Sequence, residues 1–87
     1  MQDNDIRIAV IGLGYVGLPL AVEFGKDFPV VGFDVNENRV SELQRGEDST
    51  LECSKEELKE AVQLAYSGNT ESIADCNVYI VNYEDYH

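Results

Sequence analysis

Short apolar runs alternate along the chain with segments of helical character. Residues Ile6–Ile11 are apolar except for Arg7 and lead directly into a cluster of glycines, which is typical of a buried strand in a parallel sheet. Residues Val16–Lys26 are apolar at most positions and carry Pro19 in their first turn, where a missing N–H costs little, so they predict a buried helix. The next apolar run, Val30–Asp34, predicts the second strand.

Capping signals mark two further helices. Asn36 is a suitable N-cap for a helix over Glu37–Arg45, and Gly46 is expected to end that helix. The stretch from residue 47 to residue 53 is polar and is expected to be a loop. Ser54 and Glu57 then predict a capping box at the start of the next helix. The apolar stripe of that helix is expected at Leu58, Ala61, Val62 and Ala65.

The remaining elements complete an alternating pattern. Residues Leu64–Ser67 fit either the end of the preceding helix or a short strand, and periodicity does not decide between the two. A helical turn is expected over Ser72–Asp75 and a strand over Val78–Val81. The alternation predicts an α/β fold, namely a Rossmann-type parallel sheet with flanking helices, of which the chain holds the N-terminal βαβαβ half.

Composition narrows the classes of partner. The chain has 87 residues, enough for one small domain, and its 17 acidic and 6 basic residues give a formal net charge of -11. This charge argues against nucleic acid or an anionic membrane as a partner. It does not exclude a dinucleotide, because helix N-termini and backbone N–H groups bind phosphates without basic side chains. The acidic N-terminus does not fit a signal peptide and the apolar run from Ile6 is too interrupted to span a membrane, so we expect a cytoplasmic protein.

The two cysteines do not form a metal-binding pattern. Cys53 and Cys76 are far apart in the sequence. The one histidine, His87, is the last residue given and does not lie near either cysteine. We therefore expect no metal site and two reduced thiols.

The glycine cluster carries the clearest chemical signal. Gly12, Gly14 and Gly17 form the GxGxxG pattern between a predicted strand and a predicted helix, which is the context that a dinucleotide-binding turn requires. The first glycine permits the tight turn, the second lets a pyrophosphate approach the backbone, and the third lets the helix pack on the strand. Backbone N–H groups near Tyr15 and Val16 are expected to face the phosphates. The alternative is a tight turn that binds no ligand.

An acidic residue at the end of the second strand indicates which cofactor the glycine turn is expected to bind. Asp34 follows Gly12 by 22 residues, close to the spacing at which a carboxylate binds the adenosine ribose hydroxyls. Because a carboxylate there would repel a 2′-phosphate, NAD is favoured over NADP; the alternative is a capping or surface carboxylate. Arg39 lies near enough to contact the adenine or the ribose, and a salt bridge to Glu42 or a neighbour is the competing interpretation.

Two long segments resemble a known family. The stretches Ile8–Gly25 and Phe28–Asp48, with Gly-Tyr-Val-Gly-Leu-Pro at residues 14–19, resemble the N-terminal NAD-binding domain of the nucleotide-sugar 6-dehydrogenases. The later segments TLEC, LAYSGN and IADCNVYIV are most similar to the branch that oxidises UDP-N-acetylhexosamines for bacterial surface polysaccharides. The resemblance runs from about Ile6 to Val81.

The resemblance implies an activity and a set of cofactor contacts. Enzymes of this family use NAD to oxidise a sugar C6 alcohol through an aldehyde to a carboxylate, with a cysteine nucleophile. The family's cofactor-binding positions correspond to Gly12, Gly14, Tyr15, Val16, Gly17, Asp34 and Arg39.

The same resemblance sets expectations for the domain. Residues 1–82 are expected to be an incomplete NAD-binding domain and residues 83–87 a tail outside the family pattern, with the departure beginning at Asn82. Neither Cys53 nor Cys76 matches the family's nucleophile motif, so no catalytic residue is assigned. We expect a truncated family member that is inactive alone, its UDP-sugar being bound only by the intact enzyme. A stand-alone, non-catalytic dinucleotide-binding module is the alternative.

Overall fold

A computed structural model of the chain describes residues 5–82. Within these residues, strands alternate with helices in the order that the hydrophobic pattern predicts. The elements are β1 (Ile8–Ile11), α1 (Gly17–Gly25), β2 (Val30–Phe33), α2 (Glu37–Gln44), α3 (Lys55–Glu60), β3 (Leu64–Ser67), a 3₁₀ helix (Thr70–Ile73) and β4 (Val78–Val81).

The four described strands form one parallel sheet in the order β3-β2-β1-β4. Ile8 pairs with Val30 on one side and with Val78 on the other, so β1 lies inside the sheet. All carboxyl ends lie at the same edge, where the turn after β1 and the loop after β2 come together. The predicted Rossmann-type α/β fold is confirmed.

The core lies between the sheet and its helices. Ala9 and Val10 of β1 are completely buried although they point to opposite faces of the strand, as expected for a parallel strand that is covered on both sides. Leu18 and Ala21 of α1 are also completely buried. Leu43 of α2 also belongs to the buried apolar core.

Helix α2 begins at Glu37 as the sequence predicts and ends at Gln44, one residue before the predicted end at Arg45. The Asn36 side chain accepts hydrogen bonds from the N–H groups of Asn38 and Arg39, at 3.0 and 3.2 Å. Gly46 follows the helix with φ of 78°, a conformation that glycine adopts readily. The capping box of α3 is also present, since Ser54 and Glu57 exchange hydrogen bonds between their side chains and backbones.

The open choice at Leu64–Ser67 is decided in favour of a strand. The helix over α3 ends at Glu60, and Leu64–Ser67 pairs in parallel with β2 as strand β3. The helical stripe predicted through Val62 and Ala65 is therefore wrong: Val62 is a largely exposed loop residue and Ala65 lies in β3. Hydrogen bonds to β2 stabilise the extended backbone at these residues. The hydrophobic periodicity within one segment does not indicate such bonds to another strand.

Several smaller boundaries also differ from the predictions, among them those of α1, which spans Gly17–Gly25 and not Val16–Lys26, and of β2, which ends at Phe33 and not Asp34. The first strand begins at Ile8 and not Ile6, because the backbone N–H of Arg7 donates to the Asn77 side chain at 2.9 Å. The expected helical turn over Ser72–Asp75 is instead a 3₁₀ helix over Thr70–Ile73, which begins earlier because the Asn69 side chain accepts from the N–H of Glu71. The predicted tail at residues 83–87, with His87, lies outside the described residues.

Candidate functional site

A cleft of about 660 Å³ opens at the carboxyl ends of β1, β2 and β4. The turn after β1 forms one wall, and the loop after β2 together with α2 forms another. Gly12, Gly14, Tyr15, Asp34 and Arg39 all line this cleft. Val16 and Gly17 lie beside it at the start of α1. The structure therefore brings the predicted cofactor residues to one place.

The turn after β1 is held in shape by its backbone and by one buried side chain. Gly12 has φ of 98°, which would strain any other residue, and its N–H donates to the carbonyl of Phe33 at 2.9 Å. Leu13 is completely buried. A Cβ atom at Gly32 would lie 3.0 Å from Leu13 Cδ2, so the glycine in β2 leaves room for the leucine. Sequence reasoning missed this pair, and the GxGxxG pattern gives no signal for it.

Helix α1 starts next to the cleft. The N–H of Leu18 donates to the carbonyl of Gly14 at 3.3 Å, which closes the first turn of the helix. Gly17 is buried, whereas Tyr15 and Val16 are exposed. The N-terminus of α1 thus lies at the same edge of the sheet as the cleft, with the positive end of the helix dipole there.

Asp34 is fixed at the cleft wall by two backbone groups. Its Oδ2 accepts from the N–H of Leu13 at 2.9 Å, and its Oδ1 accepts from the N–H of Asn36 at 2.9 Å. The N-cap of α2 is Asn36, so Asp34 is not the capping residue. The carboxylate consequently contacts the glycine turn directly and keeps a defined orientation.

Arg39 is buried beside the same turn. Its Nε donates to the carbonyl of Leu13 at 2.7 Å. Its Nη1 lies 2.8 Å from Asp48 Oδ1 and 3.3 Å from Glu42 Oε1, and its Nη2 donates to Thr50 Oγ1 at 3.4 Å. The salt bridge to Glu42 that the sequence suggested is present, and Arg39 nevertheless lines the cleft.

Asp48 is a buried partner of Arg39 that sequence reasoning missed. Its side chain is completely enclosed and accepts from the backbone N–H groups of Thr50, Glu52 and Cys53 at 2.9–3.0 Å. Burial alone would raise the pKa of Asp48, but hydrogen bonds from the Thr50 hydroxyl and the Arg39 guanidinium lower it to about 2. An aspartate two residues before a threonine in a polar loop is a signal for such a local turn.

Glu42 is oriented in a similar way. Its Oε1 accepts from the Ser49 hydroxyl at 3.0 Å, and its Oε2 accepts from the Ser49 N–H at 2.9 Å. Burial raises the pKa of Glu42, but the bonds from Ser49 and Arg39 outweigh this effect and lower it overall. Glu42 and Asp48 are therefore both ionised at neutral pH.

Asn82 belongs to the site and not to a tail. Its N–H donates to the carbonyl of Ile11 at 3.0 Å, and its side-chain amide donates to the carbonyls of Ile11 and Gly12 at 3.1 and 3.4 Å. Asn82 thus continues the fold up to the last residue of the predicted domain, residues 1–82. The residue extends the pairing between β4 and β1 and lines the cleft.

Both cysteine thiols have raised pKa values. Burial, together with the nearby Glu57 carboxylate, raises the pKa of the Cys53 thiol to about 11. Burial also raises the pKa of Cys76. Both thiols are protonated at neutral pH and are weak nucleophiles. Across residues 5–82 we find no cluster of histidine, cysteine and carboxylate side chains suited to a metal ion, and no helix there has the length and apolar character needed to cross a bilayer.

A parallel sheet with a glycine turn leading into α1 and a carboxylate at the end of the second strand defines a Rossmann-type nucleotide-binding domain. Comparison with known families refines that class. Residues 6–83 match the NAD-binding domain of the UDP-glucose/GDP-mannose dehydrogenase family, and the chain belongs to this family. The predicted resemblance is confirmed.

Individual relatives agree with this assignment. The chain is 58% identical over 78 residues to a UDP-N-acetyl-D-glucosamine 6-dehydrogenase of Pseudomonas aeruginosa, a match that covers 90% of the chain and 18% of the relative. It is 45% identical over 75 residues to Protein CapL of Staphylococcus aureus, covering 86% and 18%. The solved structure of a UDP-D-ManNAc dehydrogenase from Pyrococcus horikoshii superposes with a TM-score of 0.83 at 33% identity, covering 88% of the chain and 20% of that structure. The chain thus spans about a fifth of the length of these relatives.

Proposed function

We propose that the chain is the NAD-binding portion of a UDP-N-acetylhexosamine 6-dehydrogenase and that it binds the adenosine and pyrophosphate half of NAD. The observation that carries this proposal is the 2.9 Å hydrogen bond from the Leu13 N–H to Asp34 Oδ2 at the wall of the cleft. It places a ribose-type carboxylate directly against a glycine turn of the phosphate-binding kind. Bound NAD supplies the hydride acceptor for oxidation of an alcohol.

The phosphate end of the site is assigned to the turn and to the start of α1. Gly12 and Gly14 line the cleft, so a pyrophosphate can approach their backbone. Backbone N–H groups near Tyr15 and Val16, at the positive end of the α1 dipole, are assigned to the pyrophosphate. Gly17 lets the helix pack closely on β1. This arrangement requires no basic side chain, which agrees with a chain of net charge -11.

The ribose end is assigned to Asp34 and Arg39. Asp34 is oriented by Leu13 and Asn36 and accepts hydrogen bonds from the ribose hydroxyls. Arg39, on α2 and lining the same cleft, contacts the adenosine. A carboxylate at this position favours NAD over NADP because it repels a 2′-phosphate.

We assign no catalytic residue to this chain. The cysteines are not activated thiols, and the UDP-sugar is assigned to the intact enzyme. The chain alone therefore has no dehydrogenase activity. The setting that we propose for the intact enzyme is the cytoplasmic synthesis of bacterial surface polysaccharide, with neither nucleic acid nor membrane as a partner.

A titration tests the binding proposal. The purified chain is titrated with NAD and with ADP-ribose by calorimetry, and the two ligands are expected to bind with equal affinity because the contacts reach only their shared half. Binding of neither ligand would contradict the proposal. A clear preference for NAD would show that the chain also contacts the nicotinamide.

A second experiment tests the absence of chemistry. The chain is mixed with NAD and UDP-N-acetylglucosamine, and NADH is followed by its absorbance. No NADH is expected. Formation of NADH in proportion to the amount of chain would overturn the assignment of catalysis to the intact enzyme.

A further inference from the structure

The buried guanidinium of Arg39 at the cleft forms salt bridges with two carboxylates. Glu42 and Asp48, which we call the carboxylate clamp, hold Arg39 Nη1 at 3.3 and 2.8 Å. The Nε of the same arginine donates to the carbonyl of Leu13. The guanidinium therefore reaches the cleft with its charge already paired and its direction fixed.

The clamp is itself built into the fold. Ser49 donates from both its hydroxyl and its N–H to Glu42, and the Asp48 carboxylate gathers the backbone N–H groups of the following loop. Two carboxylates thus pair with one guanidinium, and a third, that of Asp34, lines the same cleft. The local charge is therefore negative although an arginine is present.

This arrangement bears on which dinucleotide enters. In Rossmann-type sites a carboxylate binds the ribose 2′-hydroxyl of NAD, whereas a nearby arginine accommodates the 2′-phosphate of NADP. Here both residue types line one cleft. We infer that Glu42 and Asp48 are specificity-determining residues, which withhold the Arg39 guanidinium from a 2′-phosphate and so support Asp34 in selecting NAD. This inference rests on the proposed binding of NAD at the cleft.

The test uses Glu42, because Asp48 also organises the loop after it. The chain and its Glu42→Gln variant are each titrated with NAD and with NADP by calorimetry. We expect the ratio of the NADP to the NAD association constant to rise about tenfold in the variant, since one carboxylate that lines the cleft is neutralised and only one of the two clamp carboxylates then pairs with Arg39. The ratio is the readout because a general loss of structure weakens the binding of both ligands together.

Three further variants identify the cause. Glu47→Gln removes the same charge from an exposed carboxylate that pairs with Arg45 Nε at 3.6 Å, outside the cleft walls, and it is expected to leave the ratio unchanged. Arg39→Gln combined with Glu42→Gln is expected to cancel the gain in NADP binding, because the gain requires the arginine. Glu42→Ala repeats the measurement without an amide that can donate to neighbouring groups, and circular dichroism checks that each variant is folded.

The outcomes separate this inference from the proposed function. NAD binding by the unsubstituted chain with an unchanged ratio in both Glu42 variants would overturn the inference alone. An equal rise in Glu47→Gln would also overturn it, because net charge and not the clamp would then set the ratio. Failure of the unsubstituted chain to bind NAD would overturn the proposed function, and with it the inference.

Discussion

Both polar backbone groups of Leu13 are held by side chains of the site. Its N–H donates to Asp34 and its carbonyl accepts from Arg39, while its own side chain is completely buried against Gly32. At the scale of single residues, the shape of the glycine turn and the orientation of the Asp34 and Arg39 side chains therefore depend on each other. A change in any of these residues is expected to alter binding through the turn as well as through its own contacts.

Replacing Asp34 tests this dependence. Asp34→Ala removes the acceptor for the N–H groups of Leu13 and Asn36 and the carboxylate that faces the ribose, so NAD affinity should fall at least about tenfold. Calorimetric titration measures the change. Asp27→Ala, which alters an exposed carboxylate after α1, is the matched control and should bind NAD as the unsubstituted chain does. Unchanged affinity in Asp34→Ala would refute the assignment.

Asp48 makes the stability of the folded chain depend on pH in the acid range. Its pKa in the folded chain is about 2, below the ordinary value of 3.8, so the ionised form is favoured by folding. The resulting stabilisation, about 2 kcal/mol, is fully present above about pH 4 and is lost as the pH falls toward 2. Asp48→Asn should therefore be less stable than the unsubstituted chain at neutral pH, and the difference should shrink between pH 4 and pH 2.

Urea unfolding at a series of pH values measures that difference. The enclosed carboxylate also accepts several backbone N–H groups, so part of the loss in Asp48→Asn is independent of pH. The pH-dependent part is the quantity of interest. A constant difference across the series would show that Asp48 is not depressed in pKa.

At the scale of elements, the C-terminal end of α1 meets β3 and the end of α3 at one glycine. A Cβ atom at Gly25 would lie 2.8 Å from the Cβ of Leu64 and 3.2 Å from that of Ala61. The contact joins elements that are distant in the sequence, and it fixes how closely the helix layer approaches the sheet.

Gly25→Ala should loosen this junction. The added methyl group forces α1 away from β3, at a cost of about 1–3 kcal/mol in the free energy of unfolding, as measured by urea titration. Glu23→Ala changes an exposed position on the same helix and should alter stability by no more than about 0.5 kcal/mol. Equal effects of the two substitutions would mean that the junction accommodates a side chain.

Local signals explain what could be predicted from the sequence. The cap at Asn36 and the stop at Gly46 act within a few residues, and the spacing from Gly12 to Asp34 reflects one βαβ unit, so these features were predicted correctly. Strand β3 was left undecided because its stability comes from pairing with β2 across the sheet. Asp48 was missed because its partners become neighbours only when α2 and the following loop are folded together.

At the scale of the whole molecule, one edge of the sheet is formed by an apolar strand, β4. Strand β4 pairs with β1 on one side and, within residues 5–82, has no strand on the other. Val78, Tyr79 and Val81 are 38%, 50% and 47% exposed, and β4 contains no charged residue. An apolar edge without charge is a template for pairing with other chains, so we expect self-association that grows with concentration.

A charge on this edge should suppress the association. Val78→Lys places an ammonium group on β4, whereas Val62→Lys makes the same change at an exposed loop position before β3, away from the β4 edge. Light scattering at increasing concentration should show growth for the unsubstituted chain and for Val62→Lys, and a clear reduction for Val78→Lys, because a lysine on an edge strand opposes pairing with a second strand. Equal reduction in both variants would contradict the assignment to the β4 edge, because the effect would not depend on where the lysine stands. A chain that stays monomeric without substitution would show that the β4 edge, although apolar, does not recruit another copy.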